Sequence, residues 1–182
     1  MIIGVTGTLG AGKGTVVEYL KTKGFKHFSV RDFLVEEINR RGMPVVRDSM
    51  VVVANDLRAT HGPGYIAEQL VERALRERGH AVIESIRSLG EARYIKEHGG
   101  LLWAVDADIR TRYARVAKRQ SETDKISFEK FVADEQTEFA NQDPTKQNIS
   151  GVIAMADTVF GNDGTPEELY QQVESALQKS GV

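Results

Sequence analysis

The residues best suited to chemistry lie near the start of the 182-residue chain. The run Gly7-Thr8-Leu9-Gly10-Ala11-Gly12-Lys13-Gly14-Thr15 follows a short apolar stretch and precedes a helical pattern. Gly7, Gly10 and Gly12 open backbone conformations closed to residues with a side chain. Successive amide N–H groups can then turn toward one anion, and the helix that follows adds the positive end of its dipole. In such a loop Lys13 reaches the β- and γ-phosphates of a bound triphosphate, and Thr15 offers its hydroxyl to Mg²⁺. The run from Gly7 to Thr15, with Leu9, Ala11 and Gly14 included, is therefore the expected contact surface for ATP.

Other candidates sit where apolar runs end. Arg31 and Asp32 follow Phe25–Val30, and Glu84 and Arg87 close the run that begins at Ala81. Ligands of a doubly wound sheet gather beyond the C-terminal ends of its strands, which puts these residues at one edge. A planar guanidinium such as that of Arg87 can hold a phosphate at two points. Asp32 also reads as the acidic residue of a helix cap opened by Ser29, and the two roles are compatible. Arg58 precedes Gly62-Pro63-Gly64, and its spacing alone leaves a cleft role and a solvated surface role both open. Arg110, Arg112, Arg115, Lys118 and Arg119 form a basic helical pattern in which Arg115 and Arg119, four apart, share a face. Phe128, Phe131, Val132, Glu135 and Phe139 recur at helical spacing and read as packing positions.

The elements that must position these groups alternate in type. Short runs at Ile2–Thr6, Phe25–Val30, Ala81–Glu84, Leu101–Asp106 and Thr158–Phe160 lack apolar/polar alternation, as strands buried on both faces do. Longer helical patterns separate them, the signature of a parallel sheet covered on both sides. One helix follows Gly12 and stops near Gly24, and a second starts at Ser29 and stops at Gly42. Tyr65–Arg78 carries Ile66, Leu70, Val71, Ala74 and Leu75 on one face. Ser88-Leu89-Gly90-Glu91 and Thr165-Pro166-Glu167-Glu168 are capping boxes, the second with proline in the first turn. The expected architecture is one three-layer α/β/α domain over residues 1–182 with a five-stranded parallel sheet. Helical insertions at about 31–64 and 116–150 rise above its edge.

The loop departs from the strict P-loop pattern, because Gly14 stands where a Ser or Thr would follow the lysine. The form Gly-x-x-Gly-x-Gly-Lys-Gly-Thr resembles the loop of adenylate kinases and other nucleoside monophosphate kinases. That resemblance implies a P-loop NTPase fold, with Arg31, Arg58 and Arg87 on an acceptor phosphate. It makes Ala81–Glu84 a Walker B strand in which Glu84 replaces the usual aspartate and Ser85 the usual glycine. It makes 116–150 a short helical lid, at whose base Arg115 and Arg119 touch the donor and the transferring phosphoryl group. Lys13, Asp32, Arg87, Arg115 and Arg119 are then the catalytic set, and Thr15 and Glu84 serve the metal. The segment Ala156-Asp157 to Thr165 resembles the final strand and loop of dephospho-coenzyme A kinases, which implies Asn162 and Gly164 near the donor's adenine. The same resemblance gives Asp32 the role of base toward a ribose hydroxyl. The stretch Glu84–Glu91, with Leu57-Arg58 and His61-Gly62 upstream, is most similar to an archaeal-type kinase group close to both. Three arginines at the cleft favour an acceptor that is itself a phosphate, which needs charge neutralisation more than a base.

Composition narrows the alternatives. Lys plus Arg is 24 and Asp plus Glu is 26, so the formal charge of −2 argues against whole-surface binding to nucleic acid or an anionic membrane. Zero cysteines exclude disulfides, thiolate metal sites and the zinc-bearing lid of some adenylate kinases. The four histidines lack metal-ligand spacing. The Asp-x-x-Gly and Asn-Lys-x-Asp motifs of a GTPase switch are absent. No apolar run approaches the ~18–20 residues of a membrane helix. The expectation is a cytoplasmic ATP- and Mg²⁺-dependent kinase, monomeric or a small homo-oligomer, acting on a nucleoside monophosphate. A dephospho-coenzyme A kinase-like enzyme and a non-catalytic nucleotide-binding protein are the alternatives.

Overall fold

A computed structural model describes residues 1–118 and 127–181. The chain runs β1 (Ile2–Gly7), α1 (Lys13–Thr22), β2 (Lys26–Ser29), α2 (Val30–Arg40), α3 (Arg47–His61), α4 (Tyr65–Glu77) and β3 (Ala81–Glu84). It continues α5 (Leu89–Glu97), β4 (Leu101–Asp106), α6 (Ile109–Lys118), α7 (Phe128–Phe139), α8 (Ile149–Ala154), β5 (Thr158–Gly161) and α9 (Pro166–Lys179). The five strands form one parallel sheet in the order β2-β3-β1-β4-β5. All five apolar runs are strands, with ends shifted by a residue or so at β1, β2 and β5.

Both faces of the sheet are buried. Ile3, Val5, Val82, Trp103, Val105 and Phe160 pack against Val16, Val17 and Leu20 of α1 and Leu169, Val173 and Leu177 of α9. Phe28, Ile83 and Leu102 pack on the other side with α2, α3, α4, α5 and Val152 of α8. This explains the continuous apolar runs, since neither side of the central strands meets water. Gly4, in the middle of β1, lets α5 lie close: a Cβ there would stand 2.7 Å from Ile95 Cδ1.

The caps read from sequence are present. Ser29 Oγ accepts from the Asp32 N–H at 3.1 Å, and full capping boxes open α5 at Ser88 and α9 at Thr165. Two packing expectations are corrected. Leu75 stays 63% exposed on the outer rim of α4, because its neighbours Ile66, Leu70, Val71 and Ala74 already complete the buried stripe. Phe139, in the last turn of α7, is 39% exposed, whereas Phe131 is buried against Tyr113.

One buried ion pair joins the two walls of the sheet edge. Arg58 of α3 donates from Nε to Glu91 Oε1 at 2.9 Å and from Nη2 at 2.8 Å, with both side chains almost fully buried. The other oxygen, Glu91 Oε2, accepts from the Arg87 and Ser88 N–H groups at 3.0 and 3.1 Å. Both carboxylate oxygens are thus committed. Breaking such a pair strands a charge in the interior. Glu91→Gln is expected to lower unfolding free energy by about 3–5 kcal/mol in urea titration, and a loss below about 1 kcal/mol would contradict this account.

Candidate functional site

Strands β1 and β3 lie side by side at the centre of the sheet, and their outgoing connections lead in opposite directions, β1 to β2 and β3 to β4. That divergence opens a crevice at their C-terminal ends. The glycine-rich loop leaves β1 here and the Glu84–Arg87 segment leaves β3, so the two strongest sequence signals face one another across neighbouring strands.

The loop is held from outside by its carbonyls. Lys13 Nζ donates to Gly7 O and Thr8 O, each at 2.9 Å. Asn162 Nδ2, from the turn after β5, donates to Ala11 O at 2.7 Å. Arg112 Nη1, from α6, donates to Leu9 O at 3.4 Å. Gly12 has φ +108°, and a Cβ there would collide with the Asn162 amide, so only glycine fits. Gly10 has φ +81°, and its Cβ would stand 2.5 Å from Arg112 O. At Gly14, by contrast, a Cβ would meet open space, so packing does not demand glycine at the position where the strict motif has a hydroxyl.

On one side of the loop a groove is lined by Gly12, Thr15, Arg115, Lys118, Asn162, Gly164 and Pro166. Five of these are residues singled out from separate parts of the sequence. Asn162 is buried and its amide is engaged by the loop, so it shapes this groove by fixing Ala11. Arg115 Nη1 is buried and has no hydrogen-bond partner among the described residues. A guanidinium N–H left unsatisfied inside a fold is costly, and an anionic oxygen in the groove would satisfy it.

On the other side a cavity of about 210 Å³ is lined by Leu9, Val30, Arg31, Leu34, Arg47, Met50, Val51, Ala54, Arg58, Ser85, Arg87 and Gln147. It gathers Arg31, Arg58 and Arg87, three residues singled out from separate parts of the sequence. Arg58 is not the solvated surface arginine its spacing allowed, since it is 2% exposed and paired with Glu91. Arg87 Nη1 donates to Gln147 Oε1 at 2.9 Å. Sequence reading missed Arg47 and Gln147. Arg47 was recoverable, because Arg47, Met50, Val51, Ala54 and Arg58 follow helical spacing along one face of α3.

Asp32 does not join this group. It lines a separate surface depression with His27, Phe28, Ser29, Phe33 and Arg73. Glu84 Oε2, at the end of β3, accepts from His27 Nε2 at 3.0 Å. That bond is the main cause holding the Glu84 carboxyl below its ordinary range, ahead of the charges of Lys13 and Arg87. Among the described residues no cluster of three or more His, Asp or Glu forms a metal site. One ionised carboxylate and one hydroxyl, Glu84 and Thr15, suit an ion that arrives with phosphate ligands and keeps its waters, as Mg²⁺ does.

The segment expected as a lid, about 116–150, starts at the end of α6 and contains α7, and Arg112 joins these two helices. Its Nη2 donates to Glu135 Oε1 at 2.9 Å, its Nη1 bonds Glu135 Oε2, and its Nε donates to Ala107 O at 2.8 Å. Glu135, read from its spacing as a packing position, is therefore an ion-pair residue. Arg119 lies outside the described residues.

A family model described as an AAA domain matches residues 3–140. A UPF0200 protein of Thermococcus gammatolerans is 32% identical over 186 aligned residues, covering 98% of this chain and 95% of that one. The chain belongs to the UPF0200 family. A UPF0200 protein of Staphylothermus marinus is 29% identical, covering 98% of this chain and 92% of that one. Among solved structures, TT1252 from Thermus thermophilus superposes with a TM-score of 0.67 at 22% identity, covering 98% of this chain and 97% of that one. A shikimate kinase from Bacteroides thetaiotaomicron gives 0.58 at 11% identity, over 100% and 99% of the two chains. A dephospho-CoA kinase from Campylobacter jejuni gives 0.56 at 17% identity, over 98% and 96%. The fold of this UPF0200 protein is that of an α/β P-loop kinase. Among the described residues no helix is long and apolar enough to cross a membrane.

Arg115 gives a direct test of the groove. Arg115→Met removes the unsatisfied N–H, so the ligand-free protein is expected to be as stable as the parent or more stable by about 1 kcal/mol. Its affinity for ATP is expected to fall about tenfold. Thermal unfolding with and without ATP and magnesium measures both.

Proposed function

We propose that this UPF0200 protein is an ATP-dependent phosphotransferase whose acceptor is a nucleoside monophosphate. The observation that carries the reading is the pair of sites flanking one loop: a groove with an unsatisfied guanidinium N–H on one side and an arginine-lined cavity on the other. Two anionic substrates approached from opposite sides of Lys13 meet where phosphoryl transfer needs positive charge.

The roles follow from position. With the carbonyls of Gly7, Thr8, Leu9 and Ala11 bonded, the loop amides other than those of Ala11 and Thr15, which donate to Thr8 O and Gly12 O, turn to the donor's phosphates. Lys13 leaves two neutral carbonyls for a phosphate oxygen, a stronger charge-assisted bond. Arg115 neutralises charge that builds on the transferring group, with Arg119 as its partner on the lid of residues 116–150. Magnesium bound beside Thr15 and Glu84 would draw charge from the β- and γ-phosphates. Arg31 and Arg87 grip the acceptor's phosphate, and Val30 together with Leu34, Met50, Val51 and Ala54 of the 31–64 insertion provides an apolar wall for its base. Arg58 acts mainly through Glu91, which fixes the Arg87 main chain.

A ribose hydroxyl as acceptor would depend on Asp32 as base. The position of Asp32 in a separate depression weighs against that role and in favour of a phosphate acceptor. The test is a panel of AMP, CMP, GMP, UMP and dephospho-coenzyme A with ATP and Mg²⁺, read by ADP release. Turnover with a monophosphate supports the reading; turnover with dephospho-coenzyme A alone replaces it, and none with any acceptor leaves a nucleotide-binding protein. With the active acceptor, Asp32→Asn is expected to keep kcat within about tenfold, since general-base loss costs about 10²–10⁴. Lys13→Ala should abolish transfer, and Arg115→Met should lower kcat on the order of 10³, more than it weakens ATP.

A further inference from the structure

Among the described residues only Arg78 and Ser85 adopt positive φ without being glycine. Arg78 sits in an exposed turn before Gly79. Ser85 is different: at φ +74° it is half-buried, directly after β3, and lines the arginine cavity. Glycine occupies this conformation without strain, and serine does not. The main chain over-determines the kink, because the Ser85 and Ile86 N–H groups both donate to Val5 O, at 2.9 and 3.1 Å. Ser29, Ser88 and Thr165 accept from helix N–H groups and Thr6 donates to Ile86 O, but the Ser85 hydroxyl makes no hydrogen bond among the described residues. A strained backbone thus presents an uncommitted hydroxyl to the cavity that also holds Arg31, Arg58 and Arg87.

We propose that Ser85 is an acceptor-recognition residue whose hydroxyl donates to a phosphate oxygen of the acceptor. This rests on the reading of the arginine cavity as the acceptor site. Its position two residues from Arg87 sets a neutral donor beside the cationic one. The group it recognises is common to all monophosphates, so Ser85 contributes to phosphate binding and not to choice of base.

The test separates the hydroxyl from the backbone. Ser85→Gly relieves the strain and Ser85→Ala keeps it, yet both remove the hydroxyl. The expected result is that both raise the acceptor KM about tenfold or more, the range of a lost hydrogen bond to a charged group. The ATP KM should stay within twofold of the parent. The melting temperature should hold or rise in Ser85→Gly. The increase should be similar for every one of AMP, CMP, GMP and UMP that turns over. An acceptor KM within twofold of the parent in both variants overturns the assignment to Ser85 while leaving the cavity as acceptor site. A loss in Ser85→Gly alone shows that the backbone acts and overturns it equally, as does an effect confined to one base. If the unmodified protein shows no acceptor-stimulated ADP release with any of the four, the cavity reading and the Ser85 assignment fall together.

Discussion

The structure depends on how the carbonyls of one loop are satisfied. A chain that turns its amides toward an anion must turn carbonyls the other way, and those cannot be left bare inside a fold. Here one set of bonds is local, from Lys13 at the start of the helix that follows, and two come from far along the chain, Arg112 on α6 and Asn162 beyond the last strand. The two distant contacts form only once the sheet is assembled, because α6 and the Asn162 turn follow β4 and β5. The loop's shape is therefore a product of the whole sheet, although its sequence is local.

Arginines in this chain divide between structural and free work according to what surrounds them. Arg58 and Arg112 are both buried and both paired with glutamate, to Glu91 and Glu135. Each pair bridges elements that border the crevice, α3 to the Arg87 turn and α6 to α7. Arg115, one helical turn from Arg112, carries a buried N–H without a partner among the described residues. Burial of a charge is tolerated when its bonds are complete, and an incomplete set is the feature on which the proposed donor role of Arg115 rests. The same reasoning separates Ser85 from the capping serines.

Glu84 illustrates how side-chain length decides where a strand-end charge sits. The acid at the end of β3 is one methylene longer than an aspartate. Its register on β2 is opposite Ser29, and its carboxylate leans back to His27 two residues earlier. That bond keeps the acid ionised and fixes where its charge sits. Asp32, only five residues from His27, faces the neighbouring depression, so proximity in sequence did not carry it into the arginine cavity.

The strands, the caps and the phosphate loop were legible in the sequence because each is set by local physics. Runs of apolar β-formers bury on both faces, Ser–x–x–Glu closes a helix start, and glycines permit what other residues cannot. The parallel α/β order followed from their alternation. Tertiary structure alone decided which charged side chains look into the crevice. Arg31 and Asp32 are adjacent in the chain and line different hollows, Arg58 is neutralised by a residue thirty-three positions away, and Arg47 and Gln147 join a cavity from separate segments. Long polar side chains take their direction from the packing of neighbouring elements, and a one-dimensional pattern holds no record of which neighbour will be there.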